Sequence, residues 1–312
     1  MVKREEMKKL IIISICLFAI NLKAQQLPQY TQYMFNQYAF NPAYAGVNKY
    51  WEATTLNRYQ WIGITDAPRT FTLSAHGPLK NEKIGLGGYV YTDVVGPTRR
   101  IGFQASFTYH VQLAEKLNMS FGLSGGFNEW LLDADKITTY HPNDFYFSNG
   151  LLKSFDPDAK FGLYLYHPDW YFGASIGQMF HNKVSFLATQ TSSETYLEDH
   201  FFFNGGYKFH LGEDWAIEPT MMLKLGLPAP VKFDAGVRGV YKETVWLGFG
   251  WRSNDAVNGI IGFQYKEMVN IGYAYDFSIT NLKNFNSGSH EIMLSVKFGR
   301  SGPNETNKAS LE

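Results

Sequence analysis

The chain has 312 residues, with 28 basic and 28 acidic side chains, and its formal net charge is zero. Charged residues make up only 18% of the chain and their signs balance, so no net electrostatic field favours nucleic acid or an acidic substrate. Aromatic residues reach 17%, yet the mean hydropathy of -0.23 is too polar for a bundle of membrane-spanning helices.

The first 24 residues have the three parts of a secretory signal peptide. A basic pair precedes an apolar run at residues 10–20, and the small residue Ala24 marks the expected cleavage site. The run is shorter than the ~18–20 residues that a spanning helix needs. The single cysteine, Cys16, lies inside this run, so the mature chain is expected to have no disulfides and no thiol chemistry. We therefore expect an exported protein.

Residues 25–48 form an aromatic segment. Its stretch QYMFNQYAFNPAYAG, at 32–46, follows neither the strand period of two nor the helix period of 3.6. Pro42 also biases Asn41 away from the helical region. This segment is therefore expected to lie before the first regular element, without forming a strand or a spanning helix itself.

From about residue 49 the chain alternates with a period of two. In RIGFQASFTYHVQ, residues such as Ile101 and Phe103 form an apolar face, while residues such as Gln104 and Ser106 form a polar or small one. The same alternation recurs, and we predict fourteen strands. They are 49–61, 68–77, 83–92, 99–113, 116–131, 159–167, 169–180, 200–211, 214–225, 231–241, 243–252, 257–266, 268–279 and 291–298.

Three all-β architectures fit this alternation. A soluble sandwich or propeller usually exposes Lys, Glu, Asp and Thr, and a propeller repeats every ~40–50 residues, which this chain does not. A transmembrane barrel instead has an even number of strands, an apolar outer face, aromatic residues at strand ends and short turns at one end. Longer links at about 132–158, 181–199 and 280–290 follow short ones here. The sequence thus favours an all-β outer-membrane barrel of about 14 antiparallel strands over residues 49–299, with a polar tail at 300–312.

Sites for chemistry are weakly indicated. The eight histidines lack metal-ligand spacing, and no G-x-S-x-G is present. The acid–histidine run at 198–200 would lie at the outer rim, where a catalytic pair is conceivable, but such residues are also common in solvated loops. The glycines at 85–88 are not followed by a helix and are expected to face the barrel interior. The inner face, with Lys160, Asp234 and Arg238, lacks the ring of one sign that ion selectivity requires. We predict no catalytic, cofactor or metal site.

The opening segment and the first strands resemble the PorP/SprF family of type IX secretion system membrane proteins. The matching runs are QYMFN at 32–36, NPAYAG at 41–46, NRYQWIG at 57–63, APRTFTLSAHGPL at 67–79 and KIGLGGYVYTDVVGP at 83–97. The resemblance extends over the mature chain and is densest over residues 29–130.

The resemblance implies a non-enzymatic barrel in the outer membrane that supports secretion or surface attachment of cognate proteins, such as gliding adhesins. The implied partners are periplasmic subunits of the secretion machinery, the C-terminal domain of secreted cargo, and outer-membrane lipid. A channel for small molecules is the alternative, and a rim enzyme that uses His200 is a third hypothesis.

The aromatic segment has two possible roles. It is either a plug whose side chains fill the lumen or a periplasmic contact for the secretion machinery. The candidate plug or contact residues are Tyr33, Met34, Phe35, Asn36, Asn41, Pro42, Tyr44 and Gly46.

Overall fold

The computed structural model describes residues 28–137, 150–184, 195–226 and 229–299. The predicted signal peptide at 1–24 and the polar tail at 300–312 lie outside these residues. Within the described part of the chain, no helix is long and apolar enough to cross a membrane.

The described residues form a closed antiparallel barrel. Its strands are β1 (Trp51–Tyr59), β2 (Arg69–Pro78), β3 (Ile84–Val95), β4 (Thr98–Gln112), β5 (Asn118–Asp133), β6 (Leu151–Tyr166), β7 (Trp170–Gly177), β10 (His200–Tyr207), β11 (Phe209–Leu211), β12 (Trp215–Leu225), β13 (Lys232–Tyr241), β14 (Val245–Arg252), β15 (Ala256–Tyr265), β16 (Val269–Ser278) and β17 (Ser289–Phe298). A separate two-stranded sheet pairs β8 (Lys183–Val184) with β9 (Thr195–Tyr196).

Two pairings close the barrel. β1 pairs with β17, and β10 pairs with both β7 and β12, so the sheet has no open end. β11 continues β10 after a break at Lys208 and also pairs with β12. The barrel therefore has fourteen strands, which is the predicted number.

Strand alternation separates an apolar outer face from a polar lumen. Along β4, Phe103 and Phe107 point outward and are 39% and 51% exposed, whereas Gln104, Ser106 and Thr108 are buried inside. Soluble barrels have the opposite polarity. An apolar face outside and polar side chains inside are typical of an outer-membrane barrel.

The two ends of the barrel differ in their connections. At the short-turn end the connections are 79–83, 113–117, 167–169, 212–214, 242–244 and 266–268. The opposite, long-loop end carries 60–68, 134–150, 178–199 and 279–288. Short turns of outer-membrane barrels lie on the periplasmic side, so the long-loop end faces outward.

Short and long connections do not alternate throughout the chain, however. Two connections at the long-loop end, 96–97 and 253–255, are also tight. Gly96 and Asn254 have φ values of 55° and 52°, and left-handed residues of this kind allow a tight reversal between antiparallel strands.

The predicted start of the sixth strand is wrong. β6 begins at Leu151 and not at residue 159, because it continues along β5 through Pro157. Proline lacks the N–H that a central strand must donate. The β6–β7 pairing covers only Phe161–Tyr166 of β6, so Pro157 lies on an edge where this donor is not needed. The sequence analysis also missed the β8–β9 sheet.

Residues 28–48, which we call the lumen segment, lie inside the barrel. Three short 3-10 helices cover Tyr33–Phe35, Gln37–Ala39 and Pro42–Tyr44. Asn41 is extended, with φ −128° and ψ 108°, as expected before proline. Aromatic side chains of this segment and of the inner wall form the buried core, so the core of this barrel is its lumen.

Candidate functional site in the barrel lumen

The lumen segment runs the height of the barrel. Near its start, Thr31 contacts Arg58, which lies at the long-loop end of β1. Near its end, Gly46 packs against Gly85, which lies at the short-turn end of β3. The chain therefore enters the described structure near the outer end and descends through the lumen to the start of β1.

The first four candidate residues contact the wall on opposite sides. The Tyr33 hydroxyl is 3.1 Å from the Thr220 hydroxyl, and Asn36 Oδ1 accepts a hydrogen bond from Ser74. Phe35 packs 5.0 Å from the Trp246 ring, centroid to centroid, and beneath the Arg238 guanidinium at 4.4 Å. Met34 is half-buried against the same core.

The other four contact β2 to β6. Asn41 caps the following 3-10 turn at Ala43 N (2.9 Å), and its Nδ2 donates to Leu163 O at 2.9 Å. Pro42 O accepts from the Thr108 hydroxyl at 2.8 Å. The Tyr44 ring packs edge-on against Tyr164.

Close approach of the segment depends on glycine. Gly46 has φ +80°, and a Cβ on it would lie 2.8 Å from Gly85 Cα. A Cβ on Gly122 would lie 2.2 Å from Ala43 N, and one on Gly162 would lie 2.0 Å from Asn41 Oδ1. The expected role of strand glycines on the inner face is confirmed at Gly85, where Ala45 O would lie 1.9 Å from a Cβ.

Polar groups at the middle of the segment are also hydrogen-bonded to the wall. Gln37 Oε1 accepts from Tyr164 and Asn204, at 2.8 and 2.9 Å. The Tyr38 hydroxyl is 2.8 Å from the Ser106 hydroxyl.

A charged side chain that was not predicted from the sequence also anchors the segment. The buried Glu291 carboxylate of β17 accepts the backbone N–H groups of Thr31 and Gln32, each at 2.8 Å. Gln32 Nε2 also donates to Glu291 O at 3.3 Å. One acidic side chain thus holds two consecutive peptide groups, an arrangement stronger than neutral hydrogen bonds.

Two arginines complete a buried ion cluster around Thr31. Arg58 donates to Asp276 at 2.7 Å and to the Thr31 hydroxyl at 2.9 Å, and it lies 3.3 Å from Glu291. Arg252 contacts Asp276 at 3.0 Å, the Thr31 hydroxyl at 3.1 Å and Asp234 at 2.7 Å. The Thr31 hydroxyl in turn donates to Asp276 at 2.7 Å. Each charge in this buried site therefore has an opposite partner.

A sequence signal for this cluster exists, but it is incomplete. Arg58, Arg252, Asp276 and Glu291 all occupy inward positions of their strands, where a charge must find a partner. Nothing in the linear sequence states which of them meet.

The segment does not fill the lumen evenly. A cavity of about 160 Å³ lies between Met34 and Gln37 on one side and the wall residues Tyr171, Thr220 and Arg238 on the other. It also reaches the 167–169 turn, so it opens toward the short-turn end.

In the acid–histidine run at 198–200, the histidine ring contacts a backbone oxygen of the same run. His200 Nδ1 lies 2.8 Å from the backbone oxygen of Glu198. Among residues 28–137, 150–184, 195–226 and 229–299, no group of three or more acidic, histidine or cysteine side chains is placed to hold a metal ion.

Fold and lumen together define the class of protein: a fourteen-stranded outer-membrane β-barrel whose own N-terminal segment occupies the lumen. The comparison with protein families is more specific. Residues 22–296 match the type IX secretion system membrane protein PorP/SprF family, and the chain belongs to that family. The predicted family is thus confirmed.

Solved structures share the fold at very low sequence identity. The toluene transporter TbuX of Ralstonia pickettii is 9% identical, with a TM-score of 0.50, over 83% of this chain and 92% of its own. A FadL homologue of Pseudomonas aeruginosa is 10% identical, with a TM-score of 0.46, over 88% and 95%. At this identity the likeness to TbuX shows the fold alone. A search of the curated proteins finds no significant match.

Proposed function

We propose that the protein is a non-enzymatic docking barrel of type IX secretion. It binds periplasmic subunits of the machinery or the C-terminal domain of a secreted protein, and so supports secretion or surface attachment of cognate proteins such as gliding adhesins. In this proposal the lumen segment, including Tyr33, Phe35 and Tyr44, is a plug.

The observation that carries this proposal is the occupied lumen. The segment is hydrogen-bonded to strands around the barrel, from Arg58 of β1 to Glu291 of β17. A passenger protein could cross only after these contacts were broken, whereas docking at either end leaves them intact. Docking therefore agrees better with this lumen than translocation through it.

A small-molecule channel is the second candidate, and the cavity beside Met34 favours it. That cavity opens toward the short-turn end, so solutes of modest size could enter it. To act as a channel, the barrel would need a continuous path past the ion cluster around Thr31.

Two measurements on the full-length tagged protein separate these functions. We expect affinity purification from native membranes to recover a periplasmic machinery subunit or a secreted protein, and planar bilayers to show little steady conductance. Large steady conductance with no secretion partner would overturn the docking proposal in favour of the channel.

Replacing Tyr33, Phe35 and Tyr44 together by alanine tests the role of the lumen segment. A plug predicts loss of the folded, heat-modifiable barrel, because three packed rings are removed from the core. Normal barrel assembly with lowered secretion would instead identify a contact surface. Phe285→Ala, which changes a ring that is 72% exposed in an outer loop, is the control for general effects of losing an aromatic side chain.

A further inference from the structure

The register of β2 to β6 places three cations on one rung of the outer face. Arg69 pairs with Val94, Val94 with Arg99, Arg99 with Leu131, and Leu131 with Lys153. Directly opposed residues share a face of a sheet. Arg69, Arg99 and Lys153 are exposed, while their neighbours along each strand turn into the lumen, so all three point outward.

This rung lies at the edge of the apolar belt. Apolar side chains lie four residues from the rung along these strands, toward the middle of the barrel. They are Leu73, Val90 and Phe103, which point outward and are 57%, 43% and 39% exposed. A strand rises ~3.3 Å per residue, so the cations lie roughly 13 Å beyond these apolar side chains. They lie at the long-loop end, where we expect the apolar band of an outer-membrane barrel to meet the outer-leaflet headgroups.

Within the described residues, two of the three cations have no acidic partner. The third cation, Lys153, lies 3.7 Å from Glu129. Asp133, at the end of β5, pairs with Lys136 at 3.1 Å. No ion pair joins Arg69 or Arg99 to any residue of the described ranges. Arg99 Nε donates only to the Thr92 hydroxyl, at 3.3 Å.

The cations are also confined to one side of the barrel. At the long-loop ends of β1, β14, β16 and β17, the outward residues are rings: Tyr59, Trp251, Phe277 and His290. The tyrosine and tryptophan rings favour a membrane boundary and carry no charge that would select an anion. The side formed by β2 to β6 is therefore the one suited to an anion.

We propose that Arg69 and Arg99 bind the phosphate group of an anionic lipid in the outer leaflet. The two residues are two strands apart, about 10 Å, and a guanidinium binds phosphate through two parallel hydrogen bonds. Acyl chains of the same lipid pack on Leu73, Val90 and Phe103 below. Free phosphate would bind the two arginines but would make no apolar contact with the side chains below them. The site therefore selects lipid over free phosphate.

The test compares two double variants of the full-length protein. R69Q/R99Q removes both cations from exposed outward positions, and K80Q/K116Q removes two exposed cations from turns at the opposite end. Each protein is reconstituted in phosphatidylcholine with or without phosphorylated lipid A, and retained lipid is counted by native mass spectrometry. Heat-modifiable migration on gels shows that both variants are folded.

We expect wild type and K80Q/K116Q to retain lipid A and R69Q/R99Q to lose it roughly tenfold, as expected for the loss of charge-assisted hydrogen bonds. Equal retention by the two folded variants would overturn the proposal. Displacement of the lipid by millimolar inorganic phosphate would do so too, because it would show a phosphate site without lipid selectivity.

Discussion

Charged residues inside the barrel have a structural role at the scale of single side chains. Arg58 is 2% exposed and Glu291 is fully buried, and each contacts both the wall and the lumen segment. Isolated charges in such a site would be very unfavourable. Their mutual pairing, together with the contacts to Thr31, compensates for this cost and links the wall to the segment.

Replacing Glu291 with glutamine tests this coupling. The amide keeps the shape but loses the charge that faces Arg58 and the two backbone N–H groups, so we expect a loss of about 3–5 kcal/mol. The measurement is the temperature at which the folded band converts to the unfolded band on gels. Glu243→Gln, which breaks an exposed ion pair with Lys208, should change stability by less than about 1 kcal/mol. Equal shifts for the two variants would contradict the role of the cluster.

At the scale of elements, two-residue alternation was sufficient to predict the strands. All fourteen barrel strands overlap predicted segments, because an apolar outer and a polar inner face leave the same period in every strand. The start of β6 was missed because Asp156, Pro157 and Asp158 resemble a loop. In the structure both aspartates face inward and the proline lies on an unpaired edge.

The fit of the lumen segment against β5 leads to a second prediction. Gly122→Val should displace the segment, because a Cβ there would lie 2.2 Å from Ala43 N, and bilayer conductance should rise. Gly125→Val is the matched control, since its Cβ would meet no atom within 4 Å. Both variants add the same side chain to the same strand. Unchanged conductance in a folded Gly122→Val barrel would show that the segment does not obstruct the lumen.

At the scale of the whole molecule, the lumen segment lies across the closing seam of the barrel. β1 and β17 are the first and last strands, and Thr31 contacts Arg58 on β1 and Glu291 on β17. Arg58 and Glu291 also face each other across that pairing at 3.3 Å. Closure of the barrel and placement of the segment should therefore occur together.

Thr31→Ala is expected to slow closure. It removes the hydroxyl shared by Arg58, Arg252 and Asp276, at a cost of about 1–3 kcal/mol. The time course of the heat-modifiable band during refolding into detergent measures the rate. Thr65→Ala, at an exposed loop position, should refold like wild type. A normal refolding rate for Thr31→Ala would mean that the seam closes independently of the segment.

The sequence by itself determined the barrel, its strand number and its family. These properties depend on period, composition and local runs such as NPAYAG at 41–46, all of which are local in the chain. Only the tertiary structure decided where the aromatic segment lies and which charges hold it. Thr31 and Glu291 are 260 positions apart, and their contact exists only because closure brings the last strand beside the first. Pairings of this kind are set by register around the whole barrel, which no local pattern encodes.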